Sequence, residues 1–226
     1  MRPLILASGS PRRRELLALS GLAYAVRPAA AVEVPQAGEA PADFARRMST
    51  TKARAAAKEA EPGALVIGAD TIVVLDGEII GKPSGPAHAV ELLRRLRGRP
   101  HQVLTAITVM DTAADPPLEL TDLVTTPVPM RGYSDEEIEA YVATGNPLDK
   151  AGAYAIQYAA FQPVAMERFA GCLANVMGLP LCRLLGLLAQ RGLASATPAA
   201  QPLGDCQHFD SDACPFIREI NLERAL

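Results

Sequence analysis

The chain has 226 residues, 49% of them hydrophobic and 21% charged, with a formal net charge of -3. That composition fits one large domain or two small lobes with a real core, and it excludes bulk positive charge as a driver of nucleic-acid binding. The absence of tryptophan, with only five Phe and five Tyr, leaves few stacking platforms for single strands, and no apolar stretch approaches a membrane span.

Residues 3–7 form a short apolar run that predicts a buried strand. The segment SGSPRRREL at 8–16 follows at once. Ser10 reads as an N-cap and Pro11 as the first helical residue. Arg12, Arg13 and Arg14 then fill the first turn, where the helix dipole disfavours cations. Either they form a solvated surface run, or free N–H groups and guanidinium forks await an anion. Leu16, Leu17 and Leu19 give this helix its apolar face, and Gly21 ends it. A Pro- and Ala-rich connector over 28–41 carries Glu33. The next helix spans about 42–60, with Phe44 and Met48 on one face and Lys52 one turn on.

Residues 64–69 (ALVIGA) read as a doubly buried strand, with Asp70 at its end, where a carboxylate faces a cleft or caps a turn. Residues 71–75 and 78–80 flank Asp76-Gly77, a hairpin signal. Lys82 follows in Gly81-Lys82-Pro83, which is no P-loop, because Pro83 stands where a hydroxyl would hold magnesium. A helix is expected over 86–96, strands over 103–110 and 118–127, and a capping-box helix from Ser134 to Thr144. Lys150 follows Asp149, either as a surface pair or as a site cation. Residues 153–157 and 164–169 read as further strands, and the first ends in Gln157, whose amide either reads a base edge or bonds backbone. A last helix starts at Pro180 and stops at Gly192.

From about residue 194 the composition turns to Ser, Thr, Pro, Ala and Gln, a linker signature, followed by a polar tail to 226. The tail gathers Cys206, His208, Asp210, Asp212 and Cys214 in a spacing that matches no standard zinc module. Four cysteines make no disulfide scaffold in a chain of this size, and reduced thiols in a cytoplasm are the expectation. Neither G-x-S-x-G nor G-x-G-x-x-G occurs, and the three histidines form no close pair in the main body. The order of elements indicates an α/β domain over 1–193 with a mixed sheet, and an appended segment over 194–226.

Five segments together resemble one family: ASGSPRRREL, GADTIV at 68–73, GKP at 81–83, DKAGAYAIQ at 149–157 and NVMGLPL at 175–181. Their order is similar to that of the Maf family of nucleoside triphosphate pyrophosphatases. The resemblance covers about residues 4–192. It implies an α/β fold with an extended, curved mixed sheet and two lobes around a central cleft, shared with inosine triphosphate pyrophosphatases. It implies hydrolysis of a nucleoside triphosphate to monophosphate and pyrophosphate, with a divalent cation (Mg²⁺ or Mn²⁺), in a homodimer. Asp70 falls on the proposed proton acceptor, and Ser8, Arg12 and Arg13 on the phosphate loop. Glu33, Lys52, Lys82 and Lys150 match charged cleft positions, and Glu33 and Asp70 are the expected metal ligands. Arg12, Thr71 and Gln157 match positions tied to the dTTP- and UTP-preferring branch. A 7-methyl-GTP or broad-range enzyme, or a nucleotide-sensing protein of the division machinery without catalysis, is the alternative. Two departures stand out: Tyr158 where glycine usually follows the glutamine, and Gly171-Cys172-Leu173 where Gly-Ser-Tyr is usual.

Overall fold

The structure, a computed structural model, describes residues 2–156, 158 and 160–193. The appended segment over 194–226, with its Cys/His/Asp group, and Gln157 lie outside the described residues. In chain order the elements begin with β1 (Leu4–Leu6), α1 (Pro11–Ala18), β2 (Ala25–Val26) and α2 (Pro41–Ala57). The centre is β3 (Leu65–Leu75), β4 (Glu78–Ile80), α3 (Pro86–Leu96), β5 (Pro100–Asp111) and β6 (Leu118–Pro129). The chain then runs through α4 (Asp135–Ala143), a single turn α5 (Leu173–Val176) and α6 (Leu181–Ala189).

The six strands form one sheet in the order β2-β1-β3-β5-β6, with β4 on β3. β1 runs parallel to β2 and β3, whereas β3, β5 and β6 form a long antiparallel ribbon, so the sheet is mixed as expected. Strand alternation sorts β3 between two cores. Leu65, Ile67, Ala69, Val73 and Leu75 face the larger core with residues of α1, α3, α4 and α6. Val66, Ile72 and Val74 face α2, where Phe44, Ala45, Met48, Ala53 and Ala56 cover them.

Gly68 and Asp70 share the α2 side of β3 with Val66 and Ile72. A Cβ at residue 68 would lie 2.7 Å from the Ala53 nitrogen and closer still to the Ser49 carbonyl oxygen. Only glycine lets α2 lie this near the strand. Beneath the contact, Ser49 Oγ and Thr108 Oγ1 are 2.9 Å apart, and Thr108 is cross-strand partner of Gly68.

Several local expectations change. The apolar stretches over 64–69 and 71–75 are one continuous strand, so Asp70 sits mid-strand, paired with Ala106. Its access to solvent comes from its neighbours instead. β1 pairs β3 only as far as Ile67, β4 pairs it only from Val73 onward, and among the described residues no strand covers the edge between them. The described part of the expected strand over 153–157, residues 153–156, is not extended into a strand. Gly152 and Ala153 have φ of 70° and 56°, which breaks an extended path, and the Gly152 N–H donates to the Gly81 carbonyl at 3.1 Å. Residues 164–169 give one bridge, Met130 to Val164, and then a 3-10 turn over Met166–Arg168. Strand β2 and turn α5 were too short for a periodic signal. The Ser134 capping box is present in full, whereas the Ser10 side chain makes no capping bond. The Ser8 hydroxyl accepts from the Ser10 N–H instead, at 3.3 Å.

Replacing Gly68 by alanine should force α2 away from β3 and lower stability by about 1–3 kcal/mol, the usual range for overpacking. Urea unfolding measures this, and an unchanged midpoint would show that the helix is not seated by this contact.

Candidate active site

The uncovered edge of β3 opens into a cleft of about 640 Å³. Ser8, Gly9, Ser10, Arg12 and Arg13 reach it from the loop after β1 and the start of α1. Lys52 reaches it from α2, Asp70 and Thr71 from β3, Lys82 from the turn after β4, and Lys150 from the 3-10 segment over Asn146–Asp149 and beyond. Every sequence-predicted site residue among those described is therefore in one place. Arg14, by contrast, is exposed and does not line the cleft.

The centre of the site is a cation between two carboxylates. Lys52 Nζ donates to Asp70 Oδ1 and to Glu33 Oε1, each at 2.6 Å. Lys52 and Asp70 are 8% and 5% exposed, so this is a buried charge pair rather than a screened surface one. Glu33 is half exposed. Its partial burial pushes its carboxyl up, but the Lys52 hydrogen bond and the charges of Lys52, Lys82 and Arg13 together hold it below the usual range.

Arg13 is fixed by three donations: Nε to the Gly178 carbonyl at 2.8 Å, Nη1 to Ser8 Oγ at 3.2 Å and Nη2 to Thr71 Oγ1 at 3.0 Å. Burial lowers its pKa, and Asp70 and Glu33 oppose that shift while Arg12 adds to it. Arg13 also lines the cleft. Lys150 is not the loose surface pair that Asp149-Lys150 suggests. Its side chain is 12% exposed, and Nζ donates to the Asn146 carbonyl at 2.5 Å and to Asp149 Oδ1 at 2.6 Å. Lys82 is exposed at the rim.

Five lining cations (Arg12, Arg13, Lys52, Lys82, Lys150) face three carboxylates (Glu33, Asp70, Asp149) in a chain whose net charge is negative. The positive excess is local, which is what a polyanionic ligand requires. The start of α1 adds backbone N–H groups at the same wall.

The comparisons bear on which ligand. A family model described as "Maf-like protein" matches residues 3–191. The chain belongs to the Maf-like family. Its relatives include the dTTP/UTP pyrophosphatase of Geobacter metallireducens, 50% identical over 189 residues that cover 84% of this chain and 96% of that one. The dTTP/UTP pyrophosphatase of Anaeromyxobacter dehalogenans strain 2CP-1 is 48% identical, over 84% of this chain and 94% of that one. Among solved structures, the Ham1 protein of Staphylococcus aureus aligns at 18% identity and a TM-score of 0.40, over 57% of this chain and 72% of that one. That likeness is too slight to argue from.

In this Maf-like chain the two sequence departures have local explanations. Cys172 Sγ accepts the Asn175 N–H at 3.3 Å and caps α5, the part a serine would play there. The Tyr158 ring packs on Tyr141 with centroids 5.2 Å apart. Sequence reasoning missed Tyr154, Asn146 and the Gly178 carbonyl as cleft components. Tyr154 had no signal beyond its place in the DKAGAYAIQ motif. Its hydroxyl lies 2.7 Å from His101 Nε2, and burial draws the His101 pKa down to about 4.

Among the described residues no cluster of three or more His, Cys, Asp or Glu side chains suits a metal, and no helix is long and apolar enough to cross a membrane. Two carboxylates do suffice for a hard divalent cation that takes its other ligands from phosphate oxygens and water. Glu33 and Asp70 have that chemistry. The Lys52 ammonium already bridges them, which shows that the spot is shaped for positive charge.

Because the folded state holds His101 neutral, the unfolded state binds an extra proton between pH 6.5 and about 4. Stability should therefore fall as pH drops through that window, by a few kcal/mol at most at its acid end. Thermal midpoints from pH 7 to pH 4 should show a flatter acid limb for His101→Gln, which can still bond Tyr154.

Proposed function

We propose that the chain hydrolyses nucleoside triphosphates, dTTP and UTP foremost, to the monophosphate and pyrophosphate. The observation that carries this reading is the set of four cations, Arg12, Arg13, Lys82 and Lys150, that line the cleft around the Glu33–Lys52–Asp70 centre. The names of the related pyrophosphatases support the substrate class. Residues 1–193 are the catalytic domain in this reading, and 194–226 an appended segment.

The triphosphate lies along the uncovered edge of β3. Arg12, Arg13, Lys82, Lys150 and the N–H groups at the start of α1 hold its phosphate oxygens. Lys52 occupies Asp70 Oδ1, so Oδ2 is the oxygen that receives a proton from the attacking water. The water oxygen bonds to the α-phosphorus as the bond from that phosphorus to the bridging oxygen breaks. Pyrophosphate departs with the electron pair, and the clamp neutralises the charge that develops on it. Glu33 and Asp70, with phosphate oxygens, would hold Mg²⁺ or Mn²⁺, which supplies further charge neutralisation when bound. Thr71, Arg12 and Gln157 are assigned to base selection on the family resemblance alone. The homodimer and the cytoplasmic setting rest on that resemblance and on the cysteine usage.

Incubation with a nucleotide panel and Mg²⁺ or Mn²⁺ should release pyrophosphate fastest from dTTP and UTP. Faster release from 7-methyl-GTP would reassign the base. Nucleotide binding without release from any member would make the chain a sensor. Asp70→Asn should cut turnover at least about a thousandfold, as loss of a general base with its electrostatic role does, while binding of a non-hydrolysable UTP analogue persists. Full activity in that variant would move the proton acceptor elsewhere.

A further inference from the structure

The motif NVMGLPL takes no part in the chemistry above, yet its first residue is completely buried. Asn175 Nδ2 donates to the Val103 carbonyl at 3.0 Å and to Thr126 Oγ1 at 2.9 Å, which locks the turn over 174–178 onto β5 and β6. The same turn supplies two accepting carbonyls, one to Arg13 itself and one to Thr105. One is Gly178, which accepts from Arg13 Nε directly. The other is Asn175, which accepts from Thr105 Oγ1 at 2.9 Å.

Thr105 and Thr71 are cross-strand partners on β5 and β3, with hydroxyls 3.0 Å apart. A hydroxyl has one proton to donate. The Thr105 proton goes to the Asn175 carbonyl, so Thr105 accepts from Thr71. Thr71 in turn accepts from Arg13 Nη2. Every direction in the chain is thereby set: guanidinium to Thr71, Thr71 to Thr105, Thr105 to the Asn175 carbonyl. Gly178 has φ of 108°, and a Cβ there would lie 3.3 Å from Thr71 Oγ1 and 3.5 Å from Arg13 Nε. Glycine is thus required where the turn meets the guanidinium.

We propose that this turn, anchored by Asn175, is the positioning device for Arg13, holding its guanidinium at two points through the Gly178 carbonyl and through the one-way chain Thr71–Thr105–Asn175. Asn175 and Thr105 are positioning residues that need not touch substrate. The inference rests on the functional reading only for its effect on nucleotide binding. Without the chain, the Thr71 proton turns to the Gly178 carbonyl 3.5 Å away and competes with Arg13 Nε for it. The clamp then loosens although no ligand contact has been removed.

The test follows solvent exchange of the Arg13 Nε–H by ¹⁵N NMR, the signal being assigned by its loss in Arg13→Lys. Exchange should be slow in the native chain and in Thr105→Ser, which keeps the hydroxyl, and about tenfold faster in Asn175→Ala and Thr105→Val. KM for UTP should rise about tenfold in both of the latter, with kcat changed far less, and Thr105→Ser should restore it. In the Arg13→Lys background, Thr105→Val should raise KM no further. Thr105→Val keeps the test open if Asn175→Ala does not fold, since valine fills the same volume. Equal exchange rates in the native chain and Thr105→Val would overturn the proposal, as would a KM unmoved by Thr105→Val or additive effects with Arg13→Lys. The exchange measurement needs no turnover, so a chain that hydrolyses no nucleotide would overturn the functional reading alone.

Discussion

The approach of α2 to β3 at Gly68 is the contact on which the site depends. Two positions along the same face of the strand stands Asp70, and one turn along the helix from the covering Ser49 stands Lys52. With a side chain at 68 the helix would ride higher, and the 2.6 Å bond from Lys52 Nζ to Asp70 would be out of reach. A buried lysine and a buried aspartate are each costly alone, and removing one partner of such a pair typically costs about 3–5 kcal/mol. The backbone's shape at one glycine therefore decides whether the charged centre can exist inside the fold.

A second constraint is where strands stop. β1 leaves β3 at Ile67 and β4 joins at Val73. Between them, side chains from both faces of β3 reach one opening, Asp70 from the α2 side and Thr71 from the side of the larger core. A strand covered along its whole edge would have separated these two residues by the sheet itself. The gap also admits the start of α1, so that Arg12 and Arg13, unfavourable at a helix N-terminus on their own, face carboxylates and a space for anions.

Much of this was legible in the residues. Apolar runs marked β1 and β3, Asp76-Gly77 marked the hairpin, and Ser134 with Glu137 marked the cap of α4, because each signal is local to a few positions. Asp70 was placed at a strand end because a carboxylate after ALVIGA breaks the apolar pattern. What it breaks in fact is coverage: Ala106 opposite leaves room, and Lys52 satisfies the charge. Residues 153–156 do not take up the expected strand, because Gly152 and Ala153 adopt left-handed backbone angles that no hydrophobic pattern encodes. The segment is instead tied to Gly81, far away in sequence.

The sequence by itself determined the chemical stock of this Maf-like site: Arg12 and Arg13, Asp70, Lys52, Lys82 and Lys150, and a motif beginning at Asn175. It determined most of the longer local elements too, since periodicity, caps and turn residues act over a few positions. Tertiary structure decided which of these groups meet and which are already engaged. Arg13 spends most of its donors on Ser8, Thr71 and Gly178, and Lys52 is held between Glu33 and Asp70. Hydrogen-bond direction and burial are properties of neighbours brought together across the fold, so no spacing along the chain could have stated them.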